Sequence, residues 1–509
     1  MTHHSSERPQ TPRAACLAVL GTGSDVGKSV VVTAVCRFFA NQGLRVAPYK
    51  AQNMSNNSGV TPEGLEMGRA QIVQAEAARV VPHVDMNPVL LKPTSEVGSQ
   101  VVVMGKALSN QTAADYHRRK HTLWKTACRA LDRLRSTCDV VVMEGAGSCA
   151  EVNLMDHDLV NLPMAAYADA PVILVGDIHR GGIFAQMVGT LACLPPQDVQ
   201  RIRALLINRF RGDIALFSDG VDWLYRRTRR PVLGVLPWFD HIRIEAEDAV
   251  VIESPRRPRP AATDAPCIAV LRLPHISNFT DFDPLENIDG LQVVYLQDPC
   301  DLSAFAAVIL PGSKNTRFDL AWVQRTGWQD LLKAYQRAGG HLLGICGGYQ
   351  MMGRSVADPD GLEGRPGKSR GLDLLPVETV LQAPKTTTVT AFSWREAAGR
   401  GYEIHMGRTR LLGGRPLLKV HERNGAACAE TDGCLDPGRR AMGTYLHGFF
   451  DNPAVTRQWL DFIGLTGLAV DEQAGPAFRD RQYDLLAEHF AAHTDTDLLH
   501  RLLHEGRCP

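Results

Sequence analysis

From about Ala15 onward the chain alternates short, wholly apolar runs with longer stretches whose apolar positions recur every three to four residues. Cys16–Leu20, Arg45–Tyr49, Asp139–Met143, Pro171–Val175 and Arg203–Ile207 have strand length, and Val30–Gln42 has helical spacing. Apolar strands alternating with helices predict a parallel sheet covered on both faces. The rhythm ends near Leu236–Pro237. Residues 253–266 then hold four prolines and three arginines with no apolar periodicity, which predicts a linker. A second strand series follows at Cys267–Leu271, Gln292–Tyr295, Ala307–Leu310 and His341–Ile345. Beyond about Asn452, the segments Thr456–Ile463, Gln482–Ala492 and Thr496–His504 read as helices that pack back on one of the domains.

The expected fold class is therefore α/β, with two doubly wound parallel-sheet domains and a helical C-terminal tail. The expected division is a disordered N-terminal tail over 1–15, a first domain over 16–252, a linker over 253–265, a second domain over 266–452 and a helical extension over 453–509.

Length and composition narrow the chemistry without choosing it. A chain of 509 residues is too long for one compact core. Lys+Arg and Asp+Glu are both 55, so there is no basic excess or stripe of the kind a nucleic-acid partner would leave. The 12 cysteines are scattered, with no C-x-x-C pair and no zinc spacing. They read as reduced thiols of a cytoplasmic protein. The polar first dozen residues lack the apolar core of a secretory signal, and no apolar run approaches the ~20 residues of a membrane helix.

Directly after the first strand stands Gly21-Thr22-Gly23-Ser-Asp-Val26-Gly27-Lys28-Ser29, leading into a helical segment. Glycines let such a loop wrap closely, so that successive backbone N–H groups face phosphate oxygens. Lys28 is placed to reach the terminal phosphates of ATP, and the Ser29 hydroxyl to ligate Mg²⁺. Further magnesium ligands are expected at strand ends of the same sheet edge, from Glu144 and Asp177. A surface acid opening a turn is the competing reading of Glu144.

The second domain carries His341-Leu-Leu-Gly-Ile-Cys346-Gly347-Gly-Tyr-Gln350, a strand running into a cysteine and two glycines. This is the nucleophile-elbow pattern, in which a sharp turn exposes the reactive atom. The N–H of Gly347 is expected to bind an oxyanion, with Gly312 and Ser313, at the end of an earlier strand, supplying a second donor. Tyr445-Leu-His447-Gly-Phe-Phe450 supplies the base, far away in sequence as such pairs commonly are.

The loop resembles that of dethiobiotin synthetase-like ATPases, and residues 266–452 resemble a class I glutamine amidotransferase domain. Many such domains carry a Glu two residues after the His; Phe449 stands there, leaving either a Cys346–His447 dyad or an orienting group still to be identified. The stretches Tyr49–Asn57, Glu66–Gln71, Asp85–Pro93, Gly181–Gly189, Asn208–Asp213, Pro311–Thr316 and Gly401–Gly407 are similar, in order, to the cobyric acid synthase family. Two departures are Cys149, where relatives usually have proline, and His179, where they often have aspartate.

The resemblance implies an amidoligase that uses ATP, magnesium arriving with the ATP, and glutamine as nitrogen donor, with no permanently bound metal. The substrate implied is a corrinoid, adenosylcobyrinic acid a,c-diamide, amidated at its b, d, e and g carboxylates. Asn53, Asn56 and Asn57 either bind corrinoid amides or carboxylates or turn the chain, and Asp158 and Asn161 are placed similarly to family residues near the acceptor carboxylate. Two rivals are the sister enzyme that amidates the a and c carboxylates, and a partition-ATPase-like nucleotide switch with a vestigial second domain.

Overall fold

A computed structural model describes residues 13–95, 98–245, 265–471 and 476–505. The first domain is built on six parallel strands in the order Val232–Pro237, Ile202–Phe210, Val172–Asp177, Ala15–Gly21, Val140–Glu144, Val46–Tyr49. Every residue of the central Ala15–Gly21 strand is buried, as a two-sided parallel strand requires. Two apolar cores flank the sheet. One gathers Leu20, Leu131 and Leu174, the other Leu17, Phe39 and Val175.

The ordered chain starts earlier than the sequence pattern predicts. Ala14 and Ala15 are buried, and Ala15 already pairs with Val140. The expected disordered tail thus cannot extend to residue 15; its first twelve residues, and the linker over 253–264, lie outside the described residues.

The second domain holds a sheet ordered Gln292–Leu296, Cys267–Leu271, Ala307–Leu310, His341–Ile345, Ala441–Thr444, Cys434–Asp436. Its neighbours run parallel except for the last pair, which is antiparallel. Beside it lies a five-stranded antiparallel sheet that includes Thr386–Trp394, Ala397–His405 and Leu446–His447. The sequence pattern did not indicate this sheet. One of its strands carries the residues around His447 to the edge of the parallel sheet.

The C-terminal tail is helical at Pro453–Phe462, Pro476–Ala492 and Thr496–Glu505. It packs on both domains rather than on one. Val455 and Trp459 join the core of the second domain, whereas Phe490, Leu499 and Leu503 join that of the first. Arg37, fully buried in the first domain, is matched by Asp480 at 2.6 Å and Asp484 at 2.8 Å from the tail. No described helix is long and apolar enough to cross a membrane.

Candidate active sites

The phosphate loop leaves the end of the central strand and closes onto the helix Lys28–Asn41. Gly27 has φ +91°, and a Cβ there would sit 2.1 Å from Asn208 Nδ2, which itself donates to Val26 O at 2.9 Å. Both the backbone angle and the space demand glycine. A Cβ on Gly21 would crowd Lys28 Cδ at 2.9 Å. Lys28 Nζ donates to Gly23 O at 2.8 Å and Gly147 O at 2.9 Å, so it is held across the loop mouth.

Ser29 Oγ donates to Glu144 Oε1 at 2.9 Å, and Lys50 Nζ donates to the same oxygen at 2.8 Å. Glu144 is 2 % exposed, which removes the surface-acid reading. Its second oxygen accepts from Gln74 Nε2. The Ser29 hydroxyl and the Glu144 carboxylate are hard oxygen donors of the kind a divalent ion accompanying a nucleotide takes. Asp177 does not join them. Its Oδ2 accepts from Arg209 Nη1 at 2.9 Å and its Oδ1 from His179 N at 2.7 Å. Arg209 also binds Asp25, and the His179 ring packs at a tilt against Trp238, with centroids 5.4 Å apart. Cys149 is buried, with its N–H donating to Gly21 O.

A cavity of about 910 Å³ opens from Lys28, Ser29 and Glu144. Asn53, Asn56, Asn57, Asp158 and Asn161 all line it. They are not equally available to a ligand. Asn161 grips the backbone of Ala146 at both ends, accepting from its N–H and donating to its C=O at 3.0 Å each. Asp158 Oδ1 accepts from the N–H groups of Val160 and Asn161. Asn53 Nδ2 donates to Gln71 Oε1 at 2.9 Å. Asn56 Oδ1 is buried without a hydrogen-bond partner among the described residues.

In the second domain Cys346 follows its strand with φ 51° and ψ −108°, a strained conformation characteristic of a nucleophile elbow. Glycines make the turn fit. A Cβ on Gly348 would lie 1.9 Å from Leu310 O, and one on Gly347 would lie 2.8 Å from Ser313 N. The Ser313 amide thus faces Gly347 across a gap that only glycine leaves open. Gly312 pairs with Ser277, and a Cβ on Gly312 would meet His447 Cε1 at 3.3 Å.

His447 is 1 % exposed, and its Nδ1 lies 2.7 Å from Asp281 Oδ2. The other Asp281 oxygen accepts from Gly448 N at 2.9 Å. With Nδ1 committed to the carboxylate, Nε2 is left for the Cys346 thiol, which in this structure donates to Ile404 O at 3.5 Å. Burial works against a charged ring, but Asp281 and Cys346 outweigh it and raise the His447 pKa to about 10.

Asp281 is the orienting group left open by the sequence. It sits on a short turn, Phe279–Phe282, far in sequence from the position two residues after the histidine. Phe449, at that position, is instead buried against Phe392, Trp394 and Phe450. The sequence signal was only an acid-rich segment, Asn278-Phe-Thr-Asp-Phe-Asp283, following the first strand of the domain.

That segment also separates the two sites. Ile276 and Phe279 line the large cavity of the first domain, while Ser277 between them lies against Gly312. Asn278 Oδ1 accepts from Ser58 N of the first domain at 3.0 Å, and its Nδ2 donates to Tyr402, whose ring stacks on His447.

Two family models match the chain. The CobQ/CobB/MinD/ParA nucleotide binding domain covers residues 17–251, and the CobB/CobQ-like glutamine amidotransferase domain covers residues 267–455. The chain is 52% identical over 499 residues to the cobyric acid synthase of Chlorobium phaeobacteroides strain BS1, covering 96% of this chain and 99% of that one. It is 51% identical to that of Chlorobaculum tepidum over 95% of this chain and 97% of the relative. For that of Syntrophobacter fumaroxidans the identity is 48%, over 96% and 99% of the two chains. On this identity along nearly its full length, the chain belongs to the cobyric acid synthase family.

Proposed function

We propose that the protein amidates the b, d, e and g carboxylates of adenosylcobyrinic acid a,c-diamide to adenosylcobyric acid, one ATP and one glutamine being consumed at each. The observation that carries this reading is the adjacency of the two chemistries. A cavity lined by Lys28, Ser29 and Glu144 is walled by Ile276 and Phe279, and Ser277, between these two, packs against Gly312 beside His447.

In the first domain a corrinoid carboxylate oxygen attacks the γ-phosphorus of ATP, and ADP leaves. Lys28 neutralises charge on the transferring group, and Ser29 and Glu144 are the residues that would hold the magnesium supplied with ATP. Asn53, Asn56, Asn57 and Asp158 line the acceptor side, and Asn161 shapes it by fixing Ala146. In the second domain the Cys346 thiolate attacks the side-chain amide carbon of glutamine. His447 gives its proton to the departing ammonia, and the Gly347 and Ser313 amides stabilise the oxyanion. Water then frees glutamate from the thioester. Ammonia attacks the acyl phosphate carbon, phosphate leaves, and the amide is formed.

Mass spectrometry of cobyrinic acid a,c-diamide incubated with protein, ATP, magnesium and glutamine tests this. Up to four OH-to-NH₂ exchanges are expected. Two exchanges on the unamidated acid alone would assign the chain to the a,c-amidating sister activity. The complete Cys346–His447–Asp281 set argues against a nucleotide switch with a vestigial second domain.

A further inference from the structure

A hairpin of the first domain, Ser58–Val60 paired with Glu66–Gly68, reaches across to the second domain. It leaves the cavity wall directly after Asn57 and returns into the helix Arg69–Ala77. That helix carries Gln71, the partner of Asn53, and Gln74, the partner of Glu144. We propose that Lys385 of the second domain is a positioning residue for the acceptor, holding this hairpin through Glu66 so that Asn53–Asn57 form the working wall of the cavity. The assignment rests on the acceptor reading given above.

Glu66 is buried, and its two oxygens face opposite ways in the argument. Oε1 accepts from Ser58 Oγ at 2.9 Å and from Lys92 Nζ at 2.8 Å, and Lys92 Nζ also donates to Ser58 Oγ at 2.7 Å. Ser58 adjoins Asn57, and Lys92 adjoins Pro93; Asn57 and Pro93 both line the cavity. Oε2 accepts from Lys385 Nζ at 2.7 Å, and the same nitrogen reaches Gln100 Oε1 at 3.3 Å. One carboxylate therefore ties two segments of the cavity wall with one oxygen and the second domain with the other.

The charges are compatible with this. Burial works against an ionised Glu66, but Lys385 and Lys92 outweigh it and hold its pKa below the usual carboxylate range. Burial pulls the Lys385 pKa down to about 7, against the attraction of Glu66. Its amine can donate to the carboxylate with or without the extra proton. Other contacts fix the hairpin in the same place. Thr387 Oγ1 donates to Gly64 O at 2.8 Å at the tip, and a side chain on Gly64 would run into Asn424. At the root Ser58 N donates to Asn278 Oδ1.

The test is steady-state amidation of cobyrinic acid a,c-diamide with ATP and magnesium, using ammonium at high pH so that the glutaminase is bypassed. Lys385→Met leaves Glu66 paired with Lys92, so no buried carboxylate is stranded. It should raise KM for the corrinoid about 10-fold, with kcat and KM for ATP little changed. Thr387→Val should raise the same KM by less. A smaller folded fraction would lower kcat and leave KM alone. An unchanged corrinoid KM in Lys385→Met, or an equal rise in KM for ATP, would overturn the assignment alone. Should Lys385→Met not fold, an unchanged corrinoid KM in Thr387→Val would overturn it instead. No amidation of the a,c-diamide by wild type would overturn the acceptor reading and this assignment with it.

Discussion

Asp281 Oδ2 lies 2.7 Å from His447 Nδ1, joining two residues 166 positions apart into one buried proton-handling unit. The carboxylate fixes the tautomer and turns Nε2 toward Cys346. Asp281→Asn preserves shape but inverts this preference, so glutamine-dependent turnover should fall about 10²- to 10⁴-fold. Ammonia-dependent amidation should persist, because its chemistry lies in the other domain. Parallel rates with the two nitrogen sources check this.

The same pair makes stability depend on pH. Folding raises the His447 pKa from its ordinary 6.5 to about 10, so its contribution is complete below about pH 6.5 and is lost as pH rises through 10. Wild type should exceed Asp281→Asn in urea midpoint at pH 6, and the gap should narrow steadily up to pH 10. A gap that widens with pH would contradict the pairing.

Glu144 carries two duties that substitution can separate. It offsets Lys50 in a buried pair and lies against Ser29 at the phosphate loop. Glu144→Gln alone removes the paired carboxylate from a buried ammonium and should cost about 3–5 kcal/mol. Adding Lys50→Met should restore much of that stability without restoring amidation. Thermal melts and single-turnover assays on the same preparations measure both.

Phe490 anchors the C-terminal tail in the core of the first domain. Phe490→Ala should cost about 3–5 kcal/mol, chiefly in that domain. Denaturant unfolding followed by a probe in each domain checks whether the loss is localised.

The parallel sheets were legible because buried strands have no polar face. The loop at Gly21–Ser29 and the elbow at Cys346 were legible because each packs its chemistry into adjacent residues. What lay across the fold was not. Asp281 reaches His447 from another strand connection, and no spacing rule links them. Asp177 stands at the correct sheet edge, but Arg209 on the neighbouring strand takes its carboxylate, a pairing that only the strand order creates. Asn161 has the residue type of a ligand group and spends both ends on Ala146. The tail's amphipathic helices showed that they must pack, and the position of Arg37 helps decide where. The antiparallel strand Thr386–Trp394 alternates buried and half-buried positions only over its last five residues, a weaker signature than a continuous apolar run.

The central claim is that one chain holds two separable active centres in series. The most direct measurement is mass spectrometry of the corrinoid product made by Cys346→Ala with ATP and magnesium, supplied first with glutamine and then with ammonium at high pH. The account predicts no amidation from glutamine and up to four exchanges from ammonia. Loss of both, or amide formation from glutamine, would contradict it.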